Sequence, residues 1–224
     1  MDTEIHRLSL GMCNCYLVKQ EGLILIDGGA PKQLENFRRK MAALSIKPQD
    51  ISLLLVTHGH WDHIGSASDL KGLTDCQVAV NHREKHWVER ALKPIPPGVG
   101  PWGVVIAFMA RVMASRVTFP GAKVDLALGD EQLSLEPFGI NGKVLHTPGH
   151  SSGSMSLLLN AGEAFVGDLA MNGLPMRIGP GMPFLAEDTD AIKASWRLLL
   201  DNGATMIYPA HGKPFSADVL KKAL

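Results

Sequence analysis

The chain has 224 residues, 46% of them apolar, and its acidic and basic side chains balance to a formal net charge of zero. This composition indicates a globular rather than a disordered protein. A neutral chain gives no electrostatic reason to expect nucleic acid or an anionic membrane as a partner. The longest apolar run, residues 102–110, is too short to span a bilayer, so we expect neither partner.

The cysteine content and the N-terminus both bear on the cellular compartment. Three cysteines, Cys13, Cys15 and Cys76, are too few for a disulfide framework and predict a reducing environment. The first two could form a soft-metal site, but the alternating residues 16–18 favour buried cysteines on a strand. Residues 1–4 lack the basic segment that precedes the apolar part of a secretion signal. We therefore expect a cytoplasmic protein.

The N-terminal segment, 3–27, contains short apolar runs that read as strands, the last of them at 23–26. This strand ends at Asp27, followed by two glycines. The Asp27 carboxylate either caps a turn or orients a metal-binding histidine. Apolar residues at helical spacing then predict a helix over 31–44, and an apolar run predicts a buried strand over 51–56.

Beyond residue 63 the pattern predicts a short helix over 64–70 that Gly72 ends, a strand over 77–80 and a helix over 82–92. Residues 93–121 interrupt this alternation, because prolines and glycines open the segment and a largely apolar helix follows. This insert is either a lid or wall that accepts an apolar part of a substrate, or it is plain core or a dimer contact.

The C-terminal half repeats the order of strands followed by helix. Short strands separated by turn signals are predicted within 123–166, and a loop rich in glycine and proline occupies 172–183. A helix over 189–200, a strand over 206–208 and a terminal helix over 216–224 complete the chain. Because strands then helix occur twice, we expect two similar halves packed face to face.

The most informative stretch is 57–63, which follows the predicted strand directly and reads Thr-His-Gly-His-Trp-Asp-His. Clustered imidazoles and a carboxylate supply the neutral nitrogen and anionic oxygen donors that a transition metal binds. A coincidental cluster of surface histidines is the alternative. The candidate ligands in this stretch are His58, His60, Asp62 and His63.

Three further candidate ligands, His150, Asp168 and His211, each follow a strand-like run and lie beside a glycine or proline that turns the chain. Site residues of α/β proteins collect just past the carboxyl ends of strands. Several strand ends that all carry ligating side chains favour one shared metal site over unrelated structural histidines.

These motifs resemble those of the metallo-β-lactamase superfamily of metallohydrolases, especially its glyoxalase-II-like branch. The resemblance implies an α/β fold, a four-layered αββα sandwich formed by one domain over 1–224, with an apolar lid insertion at about 93–121. It covers nearly the whole chain and rests on residues 25–29, 57–65, 147–151, 167–168 and 209–212.

The resemblance also implies a dinuclear metal site. Zinc is our first choice for the nitrogen-rich ligand set, and iron or manganese would also suit mixed imidazole and carboxylate ligands. The family pattern assigns His58, His60 and His150 to one ion, Asp62, His63 and His211 to the other, and Asp168 to both.

Two such ions would lower the pKa of a shared water to roughly 7 and supply hydroxide to attack a carbonyl carbon. Asp62 is the candidate catalytic residue, which would accept and relay the proton. We therefore expect hydrolysis of an ester, thioester or lactone in a small-molecule substrate, and the insert predicts that this substrate has an apolar portion.

Other readings remain open. A mononuclear iron enzyme similar to persulfide dioxygenases uses a related motif, and a non-catalytic metal-binding protein of the same fold is a further alternative. Quorum-signal lactonases carry a tyrosine three residues after the bridging aspartate, where this chain has Met171. A homodimer formed through the apolar insert is also an open alternative.

Overall fold

The structure is a computed structural model that describes residues 2–173 and 179–224. Its first sheet is antiparallel over the first three strands and parallel thereafter, since helices or longer segments connect the later strands. The six strands follow chain order: β1 (Glu4–Leu10), β2 (Cys13–Lys19), β3 (Leu23–Ile26), β4 (Leu53–Leu55), β5 (Gln77–Asn81) and β6 (Leu126–Leu128).

The second sheet also has six strands, in the order β14-β13-β10-β9-β8-β7, and only its β10–β13 pair is parallel. A separate two-stranded ribbon pairs β11 with β12. The bounds are β7 (Leu133–Ser134), β8 (Gly142–His146), β9 (Met155–Leu159), β10 (Glu163–Gly167), β11 (Met171–Asn172), β12 (Pro180–Gly181), β13 (Met206–Pro209) and β14 (Phe215–Ser216).

Seven α-helices and two short 3-10 helices, Pro48–Asp50 and Glu136–Phe138, accompany these strands in the described residues. The α-helices are α1 (Leu34–Ala43), α2 (Trp61–Ile64), α3 (Ala67–Thr74), α4 (Lys85–Glu89), α5 (Gly100–Arg116), α6 (Thr189–Asp201) and α7 (Asp218–Lys222). In the part of the chain that the structure describes, no helix combines the length and hydropathy needed to cross a membrane.

Both faces of the inner strands of the first sheet, β2 to β5, are buried, which explains why these strands are apolar at consecutive positions. On β2, Tyr16 packs with Phe165 in a core between the two sheets, whereas its neighbour Leu17 packs with Phe37 and Leu70 on the helix side. Successive side chains of a strand point to opposite faces, so one strand supplies both layers.

The outer face of the second sheet packs against α6. Val166 and Ile207 of the sheet share a core with Ile192, Trp196 and Leu199 of that helix. With helices outside each sheet and one core between them, the layers run αββα. The fold predicted from the sequence is therefore confirmed.

Some predicted bounds are wrong. The helix expected over 64–70 is replaced by α2 and α3, because the chain breaks at Ser66, whose hydroxyl donates to the Ala30 carbonyl at 2.6 Å. Gly72 lies within α3 instead of ending it. The helix expected over 82–92 shrinks to α4, since Ala91 adopts a φ of 51° that no helix continues. Of the predicted 172–183 loop, residues 174–178 lie outside the described part.

One buried side chain ties α6 to the loop after β10. The Trp196 indole is 1% exposed, and its Nε1 donates a hydrogen bond of 3.0 Å to the carbonyl of Leu169. Leu169 directly follows Asp168, so the indole holds the backbone beside a candidate metal ligand.

We expect Trp196→Ala to lower the free energy of unfolding by about 3–5 kcal/mol, because it opens a cavity and leaves a buried carbonyl unpaired. Trp102→Ala is the matched control, since Trp102 is 60% exposed and its removal should change stability by no more than about 0.5 kcal/mol. Urea denaturation measures both, and equal losses would contradict this account of the core.

Candidate metal centre

The seven predicted ligands meet at one edge of the two sheets. His58 and His60 lie in the loop that leaves β4, and the short helix α2 carries Asp62 and His63. The other three follow strands of the second sheet: His150 lies in the turn after β8, Asp168 after β10 and His211 after β13. Six of the seven side chains are buried, and Asp62 is half-buried.

The first group consists of three histidines, His58, His60 and His150, whose ligand atoms lie within 4.8 Å of one another. His60 Nδ1 is 3.0 Å from His150 Nε2. The His58 ring centroid is 4.5 Å from that of His60 and 4.6 Å from that of His150. Three ring nitrogens that converge in this way can hold a metal ion.

The second group, Asp62, His63 and His211, also has ligand atoms within 4.8 Å of one another. Here His211 Nε2 is 3.3 Å from Asp62 Oδ2. The group differs from the first because it contains a carboxylate, which makes it the more anionic of the two.

Asp168 lies between the two groups, and its two carboxylate oxygens face opposite ways. Its Oδ1 is 3.4 Å from His63 Nε2 and 3.3 Å from His211 Nε2, both in the second group. Its Oδ2 is 3.6 Å from His150 Nε2 in the first group. One side chain can therefore serve both groups.

Four of the histidines are oriented by a hydrogen-bonding contact at Nδ1. The partners are Thr57 Oγ1 for His58 (3.1 Å), Asp27 Oδ2 for His63 (2.9 Å), the Leu185 carbonyl for His150 (2.8 Å) and the Met12 carbonyl for His211 (3.0 Å). A carbonyl or carboxylate oxygen only accepts, so Nδ1 carries the hydrogen in three rings, and Nε2 has a lone pair whenever the ring is neutral.

The same tautomer follows for His58 through Asp27. The Thr57 hydroxyl donates to Asp27 Oδ2 at 2.8 Å, so its oxygen is left to accept from His58 Nδ1. Asp27 thus orients His63 by a direct contact and orients His58 through the Thr57 hydroxyl. This is the orienting role that the sequence analysis gave as one of two alternatives for Asp27. Its backbone φ of 61° is tolerated more readily by aspartate than by most residues.

Three of the polar atoms that face the centre lack a hydrogen-bond partner in the described part of the protein. His58 Nε2, His63 Nε2 and Asp168 Oδ1 are buried, and none has a hydrogen-bond partner among the described residues. An unpaired buried polar atom is costly, and such atoms call for a ligand or an ion. The donor set of imidazole nitrogens and carboxylate oxygens suits a divalent metal ion.

The charge states of the first group and of Asp62 agree with metal binding. Burial lowers the pKa of His58 and of His150, and lowers that of His60 to about 3, so all three rings are neutral near pH 7. Burial opposes ionisation of Asp62, but the nearby His63 and His211 prevail and hold its pKa at about 2. Neutral imidazole and ionised carboxylate are the forms that ligate metals. Against the effect of burial, the neighbouring acidic groups hold the pKa of His63 and of His211 well above the usual range, so these two rings would release a proton on binding a metal.

Comparison with known proteins now identifies the family. The family model of the metallo-beta-lactamase superfamily matches residues 8–211. The chain belongs to the metallo-beta-lactamase superfamily. Members are mostly metal-dependent hydrolases.

Individual relatives of this superfamily member are distant. It is similar to uncharacterized protein YobT of Bacillus subtilis, with 29% identity over 216 residues that cover 89% of this chain and 83% of YobT. It is similar to hydroxyacylglutathione hydrolase GloC of Haemophilus influenzae, with 26% identity over 179 residues, 77% of this chain and 74% of GloC. A solved archaeal member from Sulfolobus tokodaii shares the fold at a TM-score of 0.71 and 19% identity, covering 100% of this chain and 86% of that one.

A cavity of about 320 Å³ opens above the candidate ligands of this metallo-beta-lactamase fold. Its base contains the polar side chains His60, Asp62, His150, Asp168 and His211. Its walls are apolar, and most of one wall comes from α5, through Trp102, Ile106, Met109 and Met113. The predicted insert therefore forms a wall of the candidate site.

Sequence reasoning missed Glu84, which is fully buried near the centre. Its Oε2 accepts a hydrogen bond from Gly59 N, and its Oε1 accepts from Ser151 Oγ at 2.6 Å and from Gly153 N at 2.9 Å. Gly59 lies between two histidines of the first group, and Ser151 follows the third. Glu84 therefore joins the two loops that carry that group.

The sequence did carry a signal for Glu84. Like the ligands, it follows the end of a strand, three residues beyond β5. Because it begins a segment that reads as a solvated helix, the sequence alone suggests an exposed side chain. Burial raises the pKa of Glu84, against the effect of its three hydrogen-bond donors.

We expect Glu84→Gln to weaken metal binding by about 10–100-fold. The amide NH2 of glutamine would face hydrogen-bond donors, so the contacts that hold the loops of Gly59 and Ser151 would weaken. It should also lower stability by about 1–3 kcal/mol. Competition against a metal-sensitive chelating dye measures the affinity.

The control is Glu35→Gln on α1, where the side chain is 83% exposed and the change should leave metal affinity unaltered. Wild-type metal affinity in the Glu84 variant would show that the first group does not depend on this residue.

Proposed function

We propose that the chain is a dinuclear metal-dependent hydrolase of ester, thioester or lactone bonds. The observation that carries this proposal is the placement of Asp168, whose two oxygens face two separate groups of ligating side chains. His58, His60 and His150 would hold one ion, Asp62, His63 and His211 would hold the other, and Asp168 would contribute to both. Zinc is the first choice of metal, with iron or manganese as alternatives.

Different residues of the centre would have different roles in hydrolysis. Divalent ions, when bound, would supply Lewis acidity that lowers the pKa of water and polarises a carbonyl group. Asp62 lines the cavity and is ionised at neutral pH, so its carboxylate is placed to accept a proton. Asp27 and Glu84 fix the loops, which limits the motion of the ligands during the reaction.

The cavity supports a substrate with an apolar portion next to its carbonyl group. Polar groups occur at its base and apolar side chains in its walls, so a carbonyl at the base leaves an acyl or aromatic group against α5. The name of the relative GloC, hydroxyacylglutathione hydrolase, supports a hydrolytic reaction. Met171, which replaces the tyrosine of the lactonases, adds a further apolar surface to the cavity.

We expect Asp168→Ala to lose most bound metal and to lower kcat/KM by more than the roughly 100-fold that is typical of residues that only support a ligand. The reason is that both groups lose a shared carboxylate. Elemental analysis and ester hydrolysis of the same sample measure the two effects. Asp201→Ala, at an exposed aspartate of α6, should change neither. Metal content and turnover that survive the Asp168 change would refute the assignment.

A chain-length series of p-nitrophenyl esters and of lactones tests the substrate class. Each added methylene that enters the cavity contributes up to about 0.8 kcal/mol, so kcat/KM should rise with chain length until the cavity is full. Ile106→Ala, in the cavity wall, should flatten this rise and leave the shortest ester unaffected. Val104→Ala, on the exposed side of α5, is the control.

Equal rates at every chain length would remove the apolar binding role. No hydrolysis of any ester, thioester or lactone, together with oxygen consumption and one iron per chain, would favour the mononuclear dioxygenase. No reaction of either kind would favour a non-catalytic metal-binding protein.

A further inference from the structure

The exposed part of α5 carries a concentration of large apolar side chains. Seven of the twelve exposed large apolar side chains in the described residues belong to this one helix. They are Trp102, Val104, Val105, Phe108, Met109, Val112 and Met113. A contiguous exposed apolar patch of this kind marks a binding surface more often than ordinary protein surface.

The helix buries its small residues and presents its large ones. Gly103, Ala107 and Ala114 are buried against the body of the protein. Val104, Phe108 and Val112, spaced four residues apart, form one stripe along the outer side, and Phe108 is 66% exposed. The helix has 17 residues and is about 25 Å long, so the stripe is an extended ridge.

Within the segment that carries this ridge, the charged side chains all have one sign. From Arg90 to Val124 the sequence contains five basic residues and no aspartate or glutamate. Arg111 and Arg116 lie on α5 and are exposed. Lys93 Nζ donates to the Val117 carbonyl at 2.7 Å, which places a third cation at the same end of the helix.

These features distinguish between the two partners that an apolar ridge could have. In a symmetric dimer the same patch faces itself, so cations would meet cations with no acidic residue in the segment to pair with them. An anionic bilayer surface supplies the missing counter-charge and accepts the apolar side chains between its head groups. Trp102, at the N-terminal end, is a residue type enriched at membrane interfaces.

We propose that α5 binds the surface of an anionic phospholipid bilayer. The helix lies flat with Val104, Phe108 and Val112 inserted, and Arg111 and Arg116 contact phosphate groups. This differs from the expectation of no membrane partner. That expectation uses the net charge of the whole chain, which conceals a local excess of cations, and the length of an apolar run, which bears on spanning a bilayer and not on binding its surface.

The cavity opens onto the same surface. Trp102, Met109 and Met113 line the cavity and are also exposed on α5. An apolar substrate held in the bilayer would therefore reach the candidate ligands along these side chains, a point that rests on the proposed function. Binding of the helix to the bilayer does not rest on it.

Vesicle flotation tests the proposal with full-length protein and no substrate. We expect binding to vesicles of phosphatidylcholine with one quarter phosphatidylglycerol to be about tenfold or more tighter than to phosphatidylcholine alone. Raising NaCl from about 0.05 to about 0.5 M should remove most of this difference.

Two variants separate the apolar and the electrostatic parts of the contact. Phe108→Ser with Val112→Ser should weaken binding to the anionic vesicles about tenfold or more. Arg111→Glu with Arg116→Glu should weaken binding to the anionic vesicles by a similar factor at low salt and should have little effect at high salt. Leu198→Ser, at an exposed apolar residue of α6, is the control and should bind as wild type does.

Two further measurements complete the test. The Phe108 and Val112 side chains do not line the cavity, so hydrolysis of a short soluble ester should be unchanged in that variant. The Asp168→Ala variant should still bind vesicles, so a failed hydrolase assignment does not affect this result.

Absence of binding to the anionic vesicles at low salt would overturn the proposal. So would equal binding by wild type and the Phe108/Val112 variant. A dimer in sedimentation velocity that this variant dissociates, without vesicle binding, would instead assign the ridge to a second copy of the chain.

Discussion

The site depends on the hydrogen-bonding contacts at Nδ1 of four histidine rings, which fix the orientation of each ring. Because the rings of His58, His63, His150 and His211 are held at Nδ1, their Nε2 atoms point into a buried space shared with Asp168. In the first group the rings are neutral, so their nitrogen lone pairs repel one another away from water, and a bound cation would relieve this repulsion. The fold therefore holds together clusters of histidine and aspartate side chains that are able to bind metal ions.

The fold supplies these constraints from both of its sheets. Asp27 and Thr57 follow two adjacent parallel strands of the first sheet, and the carbonyls of Met12 and Leu185 come from loops far apart in the chain. Trp196 and Glu84 then fix the loops from outside, one through α6 and the other beside α4. The centre is rigid because each loop is held by an element that is itself packed in a core.

The sequence predicts the ligands because metal binding limits the choice of side chain, and strand ends limit where they occur. It also predicts the two-layer core, since residues such as Tyr16 and Leu17 are apolar at consecutive positions. It does not predict contacts made by backbone carbonyls, such as that of Met12, because a carbonyl has no residue identity. The burial of Glu84 and the exposure of α5 also escape prediction, since both depend on which segments pack beside them.

The central claim is that Asp168 is shared by two metal ions. The most direct test is a crystal structure of protein purified with its metal, with anomalous diffraction recorded at the zinc, iron and manganese edges. The account predicts two peaks, one among His58, His60 and His150 and one among Asp62, His63 and His211, each contacted by one oxygen of Asp168. A single peak that leaves either group without metal, or no peak in this cluster, would contradict it.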